Sequence, residues 1–192
     1  MSAEYFPKIA KDYRTYELFR KRKKPAKGDK LVLQEEKSNS GQQNPLRCTG
    51  ELPIESGLPN GVCKIHAAIS IINRKSYSAR IFADYFGESP CLRFCSAGRH
   101  HMNCELGKGL RSRAIPTPHF HEVNRHGVMR AYQTDALKQN EQLVQDVGKG
   151  IDLFCKESNV VAPDGTPISV KVNAEELSLS IDDPSLSITF YS

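Results

Sequence analysis

No stretch of this 192-residue chain approaches the ~18 consecutive apolar residues that a membrane-spanning helix needs. Met1 to Phe19 carries charges throughout and has no apolar core of the kind a secretory signal requires. These two absences set a cytoplasmic location, without a membrane, as the expectation. The Cys-x-x-Cys pair of thioredoxin-like redox sites and of many zinc motifs is missing. So are a Walker A loop, GxGxxG, GxSxG, HExxH and a complete C2H2 spacing. The HxE…PCxxC pattern of zinc deaminases is also absent. Nucleotide-binding, serine-hydrolase and zincin chemistries therefore have no motif to stand on. Nor is there an internal repeat of solenoid length.

What remains is ordinary in bulk. Hydrophobic residues make up 39% and charged residues 26%, so the chain is globular rather than disordered, long enough for one core with appendages. Six cysteines stand at 48, 63, 91, 95, 104 and 155. Without a secretory signal they are expected as free thiols or metal ligands, most of them packed as small apolar side chains. Cys91 and Cys95, four apart, would share a face of an extended strand. The net charge of +5 is unevenly spread. Residues 1–30 hold ten Lys or Arg against four acids, with the run Arg20, Lys21, Arg22, Lys23, Lys24, whereas residues 157–192 hold six acids and one lysine. A basic arm of this kind suits RNA, DNA or the acidic end of a protein partner, including a second copy. It lacks the interleaved aromatics of a stacking platform.

Periodicity sets the organisation. Residues 8–23 draw as a helix with Ile9, Tyr13, Tyr16 and Phe19 on one face, ended by Pro25 and Gly28. A short strand at Leu31 to Leu33 follows, then a polar loop or linker over 37–61. Strands are expected at 62–72, 77–86 and 91–96, with connections short enough for antiparallel pairing. Regular pattern stops between Gly98 and Pro118. It resumes at 119–123 and 128–132, a hairpin turning at Asn124-Arg125-His126-Gly127. Thr134 or Asp135 caps a helix running to about Lys156, striped with Leu137, Leu143, Val147, Ile151 and Phe154 and weakened by Gly148 and Gly150. Short strands at 168–172, 177–181 and 186–190 close the chain. The fold class expected is α+β, a mostly antiparallel sheet packed against one long helix, with a basic N-terminal arm or helix (1–36), a linker (37–61) and the main domain (62–192).

Five of the six histidines lie between 100 and 126. In a strand His119 and His121 point to one face, as two imidazoles must to share a metal ion or a scissile group. The loop Arg99-His100-His101-Met102-Asn103 is placed to add a third imidazole and an amide. Glu122 faces the other way, so a carboxylate would have to come from Glu105 or a distant Asp. An HxH pair alone is weak, because surface strands often carry two solvated histidines; the crowding beside a glycine-rich loop is what argues for a site. His66, alone in an apolar strand, is expected as a satisfied core or edge histidine, and His126 as a solvated turn residue.

Two chemistries fit the cluster. In one, His101, His119 and His121 hold a divalent metal such as Zn, Mn or Mg. In the other, one imidazole takes a proton while another gives one. Asn103 would orient the substrate, and Arg80, Arg93 and Arg99, with Arg111 and Arg113, would hold a phosphate.

The order of Tyr77-Ser78-Ala79-Arg80, Leu92-Arg93, His101-Met102-Asn103, Pro118-His119-Phe120-His121, Arg130-Ala131-Tyr132 and a helix ending Leu153-Phe154 resembles an uncharacterised bacterial and prophage domain of unknown function. The resemblance covers residues 68–162. A longer basic insertion, Glu105 to Thr117, separates the two histidine elements here, and the N-terminal arm and strand-rich tail lie outside it. It implies a mobile-element or phage-conflict setting and groups His101, Asn103, His119 and His121, but implies no reaction. The expectation is thus a histidine-dependent nuclease or phosphodiesterase. Its rivals are a non-catalytic inhibitor or toxin–antitoxin or defence component with structural or zinc-binding histidines, and a nucleic-acid-binding module working through its arm.

Overall fold

A computed structural model describes residues 4–37, 43–103, 114–139 and 145–173. It contains strands β1 (Lys24–Pro25), β2 (Lys30–Lys37), β3 (Gln43–Pro53), β4 (Cys63–Ser70), β5 (Tyr77–Ala83), β6 (Leu92–Cys95), β7 (His101–Met102), β8 (Ala114–Ile115), β9 (His119–Val123), β10 (Met129–Tyr132), β11 (Val160–Val161) and β12 (Ser169–Asn173). Four helices accompany them: α1 (Pro7–Lys11), α2 (Tyr13–Lys21), α3 (Asp135–Gln139) and α4 (Val147–Glu157).

Eight strands form one sheet in the order β10-β9-β6-β5-β4-β3-β2-β12. Every neighbouring pair is antiparallel except β12 with β2. The sheet is therefore a meander into which the β7–β8 pair is inserted between β6 and β9, with β12 returning to close the far edge. Alternation in the sequence decides its two faces. Along β5 every second residue is buried, Tyr77, Ala79, Ile81 and Ala83, while Ser78, Arg80 and Phe82 between them are half-buried. The apolar face carries the core, where α2 lays Tyr16 and Phe19 against Phe86, and α4 lays Ile151 and Phe154. The Tyr16 hydroxyl donates to the Cys91 carbonyl and accepts from Val123 N–H, both at 2.9 Å, tying α2 to the sheet.

Several sequence expectations change. The supposed linker over 37–61 holds β3, which pairs with β2 and β4 at the heart of the sheet. Polar composition hid it because Arg47, Thr49 and Glu51 take the polar side, opposite Ser70, Ala68 and His66. The N-terminal stripe does form, as two helices broken at Asp12, whose carboxylate caps α2 through Thr15 N–H. The basic run is not a free arm. Arg20 is ion-paired with the largely buried Glu122. Lys24 is fully buried, its ammonium donating to the carbonyls of Arg20, Arg22 and Ser158 and lying over the Phe19 ring. Only Lys21, Arg22 and Lys23 of the run are exposed. In place of one long helix the described residues hold α3 and α4; Leu143 lies between them, outside the described residues. The strands expected at 177–181 and 186–190 also lie outside them. Among the described residues no helix is long and apolar enough to cross a membrane.

Candidate metal centre

The polar face of the sheet is where the chemistry collects. Register places Cys95 directly opposite His119 and Arg93 opposite His121 on β6 and β9. All four side chains therefore leave the same face, two residues apart along each strand. The Cys95 sulfur lies 3.7 Å from His121 Nε2, and the Arg93 Nε–H donates to that sulfur at 3.0 Å. One ligand atom each from Cys95, His119 and His121 falls within 4.8 Å of the others. His119 and His121 are only 2% and 6% exposed. Cys91 and Cys95 do not share a face as expected, because β6 begins at Leu92. Cys91 joins the helix-side core, and Cys95 goes to the histidines.

His101 arrives from β7, half-buried, its ring centroid 4.8 Å from that of His121 and 6.2 Å from that of His119. The His119 and His121 centroids are 4.6 Å apart. So the structure brings the three sequence-predicted histidines together. Asn103 has a structural task. Its amide donates to the Ala131 carbonyl and accepts from Ala131 N–H, both at 2.8 Å, in a buried position. With both ends of the amide engaged on one peptide unit, Asn103 fastens β7 beside β10 and so positions His101.

Hydrogen bonding fixes one tautomer. His119 Nδ1 lies 3.0 Å from the Pro116 carbonyl, which can only accept, so Nδ1 carries the proton and Nε2 keeps its lone pair. Burial lowers the pKa of all three imidazoles. For His121, burial and then the neighbouring His119, His101 and Arg93 bring it down to about 2. All three are neutral near pH 7, the state in which imidazole ligates a metal.

The remaining candidates sort by position. Arg80 is half-buried and sits across β5–β6 from Arg93, and His66 sits across β4–β5 from Arg80. His66 is thus on the polar face, not a satisfied core residue: its Nδ1 is buried without a hydrogen-bond partner among the described residues. Arg99 and His100 are exposed on the bend before β7. His126 is exposed in the hairpin turn, accepting from Arg125 Nε–H at 3.2 Å. Glu122 faces the opposite side, as expected, and pairs with Arg20 and Arg130. Cys104, Glu105, Arg111 and Arg113 lie outside the described residues. Cys95, the non-histidine member, was not among the expected site residues; its one signal is its place on the strand paired with the HxH strand.

Comparison with known families, curated proteins and solved structures finds no match. The likeness of residues 68–162 to a prophage domain therefore gains no support beyond its short motifs.

The donor set can be tested against a metal on chemistry alone. Two imidazoles and a thiolate form an N2S set, which suits zinc and is poor for magnesium or manganese. Zinc holds its ligands at ~2.0–2.3 Å and hence within about 4 Å of one another. The observed 4.8 Å spread exceeds that value by about an ångström or less.

Proposed function

We propose that this chain is a small zinc-dependent phosphodiesterase, a nuclease in its natural role, with Cys95, His119 and His121 as metal ligands. The observation that carries the reading is the convergence of these three buried donors on a sheet face whose next residues along the same row are arginines 93 and 80. A catalytic zinc site has three protein ligands and one position left for water or substrate. Bound there, zinc supplies a Lewis acid and a water of lowered pKa. The rest falls to the protein. His101, less buried than the two imidazoles behind it, stands at the rim as the base that takes the proton of the attacking water. Arg93, directly opposite His121, holds the phosphate and stabilises the charge that develops on it, and Arg80, one strand further, binds the substrate beyond it. Asn103 keeps His101 in place.

The metal-free alternative needs one imidazole protonated as an acid. Burial works against that charge in all three rings, so a histidine acid–base pair is the weaker chemistry here.

The test is turnover of bis(p-nitrophenyl) phosphate by protein stripped with chelator and reloaded with zinc, manganese or magnesium. Zinc restores activity best. His119→Ala loses both zinc and turnover, whereas His101→Ala keeps its zinc and loses roughly a hundredfold or more in kcat. Turnover that survives both chelation and His119→Ala removes the proposal. Zinc bound tightly with no turnover on any phosphodiester assigns the centre to a non-catalytic binding protein instead.

A further inference from the structure

The row of side chains leading away from the metal centre continues past the two arginines. Cross-strand register runs His121, Arg93, Arg80, His66, Glu51 over β9, β6, β5, β4 and β3. With neighbouring strands ~4.8 Å apart, Arg80 stands about 10 Å from His121 and His66 about 14 Å. Beside this row lies Phe82, half-buried on the same face, its ring edge-to-face with His66 at 6.1 Å between centroids. On the other side a pocket of about 380 Å³ is lined by Arg47, Ser70, Ser78, Arg93 and Cys95, so that it abuts the metal centre. Arg47, Arg80 and Arg93 are close enough that the two others depress the pKa of Arg80, after burial itself. Arg80 Nε is buried with no hydrogen-bond partner among the described residues. Glu51, the acid at the end of the row, is held by Lys64.

We infer that this face is a track for a single strand of nucleic acid, with the scissile phosphate at the metal centre against Arg93, Arg80 on the phosphate that follows, and Phe82 and His66 stacking bases. The inference rests on the phosphodiesterase reading and names its substrate class. A basic groove interleaved with aromatic rings is the arrangement that binds single strands without demanding a sequence. A duplex keeps its bases inside the stack and offers nothing to Phe82 or to a pocket of that size. The exposed face of a sheet carrying aromatics is a known platform for unpaired bases. This places the nucleic-acid contact on the sheet rather than on the N-terminal basic run, two of whose charges, Arg20 and Lys24, are already engaged.

The experiment is fluorescence anisotropy with labelled 15-nucleotide RNA, DNA and duplex DNA, on the full chain in chelator so that nothing is cut. Single strands bind at least tenfold more tightly than duplex. Arg80→Gln weakens single-strand binding about tenfold and makes the slope of log K against log salt less steep by roughly one. Arg80→Lys restores most of the affinity, and Phe82→Leu lowers it about tenfold without altering the salt slope. Unchanged binding by Arg80→Gln and Phe82→Leu, each with a wild-type circular dichroism melt, overturns the track. So does equal affinity for duplex. Hydrolysis of bis(p-nitrophenyl) phosphate by a protein that binds no oligonucleotide at low salt overturns the track alone. Tight, salt-dependent single-strand binding with no zinc-dependent turnover supports the track and overturns the hydrolytic reading.

Discussion

At the scale of single residues the centre behaves as a set of buried bases. His121 has an ordinary pKa of 6.5 in the unfolded chain and is brought down to about 2 in the folded one. Below pH 6.5 the unfolded chain takes up a proton that folded His121 refuses, so stability falls as pH drops from 6.5 towards 2. The slope is about 1.4 kcal/mol per pH unit for this one group, with His119 and His101 adding in the same direction. Denaturant unfolding of the metal-free protein at pH 7.5 and pH 5.5 should therefore differ by about 1 kcal/mol or more, and His121→Asn should flatten that dependence. A stability unchanged between those pH values would mean that the imidazoles are solvated. The pairing of His119 and His121 was legible in the sequence, because two residues separated by one in a strand must share a face. Cys95 was not, since its role follows from which strand lies next to β9, a long-range choice. Asn103 was legible as part of the set but not as a fastener, because its partner is the backbone of Ala131, and backbone partners leave no side-chain signature.

Elements show where local signals succeed and where packing overrides them. Strands β4, β5, β6, β9 and β10 lay close to their expected ranges, since alternation is enforced by one buried face and one polar face. Strand β3 escaped because serines, asparagines and prolines around it imitate a loop, and only its neighbours β2 and β4 make it a strand. The basic run imitated an arm, although Lys24 turns inward to three carbonyls and an aromatic ring. Glycines in α4 looked like helix weaknesses. Gly150 has a positive reason to be there, since a Cβ at that position would run into the Tyr77 hydroxyl and ring. Helix propensity favours Gly150→Ala by about 1 kcal/mol, while overpacking against a buried tyrosine costs about 1–3 kcal/mol. The clash wins, so Gly150→Ala should lower the Tm, and Gly150→Ala with Tyr77→Phe, which removes the colliding hydroxyl, should recover part of the loss. A rise in Tm for Gly150→Ala alone would show that α4 does not press on β5.

For the whole molecule the division of labour runs between the two faces of one sheet. Helices α2 and α4 cover the apolar face and supply stability. The polar face collects two imidazoles and a thiol from the paired strands β6 and β9, a third imidazole from the β7–β8 insertion, and a row of basic and aromatic side chains leading away. A metal bound only by the folded protein stabilises it by mass action, about 2.7 kcal/mol at a hundred times Kd. The most direct test of the zinc centre is titration of the metal-free protein with cobalt(II), which takes zinc's place and is visible in absorption. Cobalt should saturate at one equivalent, with tetrahedral ligand-field bands and a thiolate-to-cobalt charge-transfer band that disappears in Cys95→Ser, and zinc should displace it. Cobalt that stays octahedral and hydrated at one equivalent, or a spectrum indifferent to Cys95→Ser, would contradict a zinc centre there.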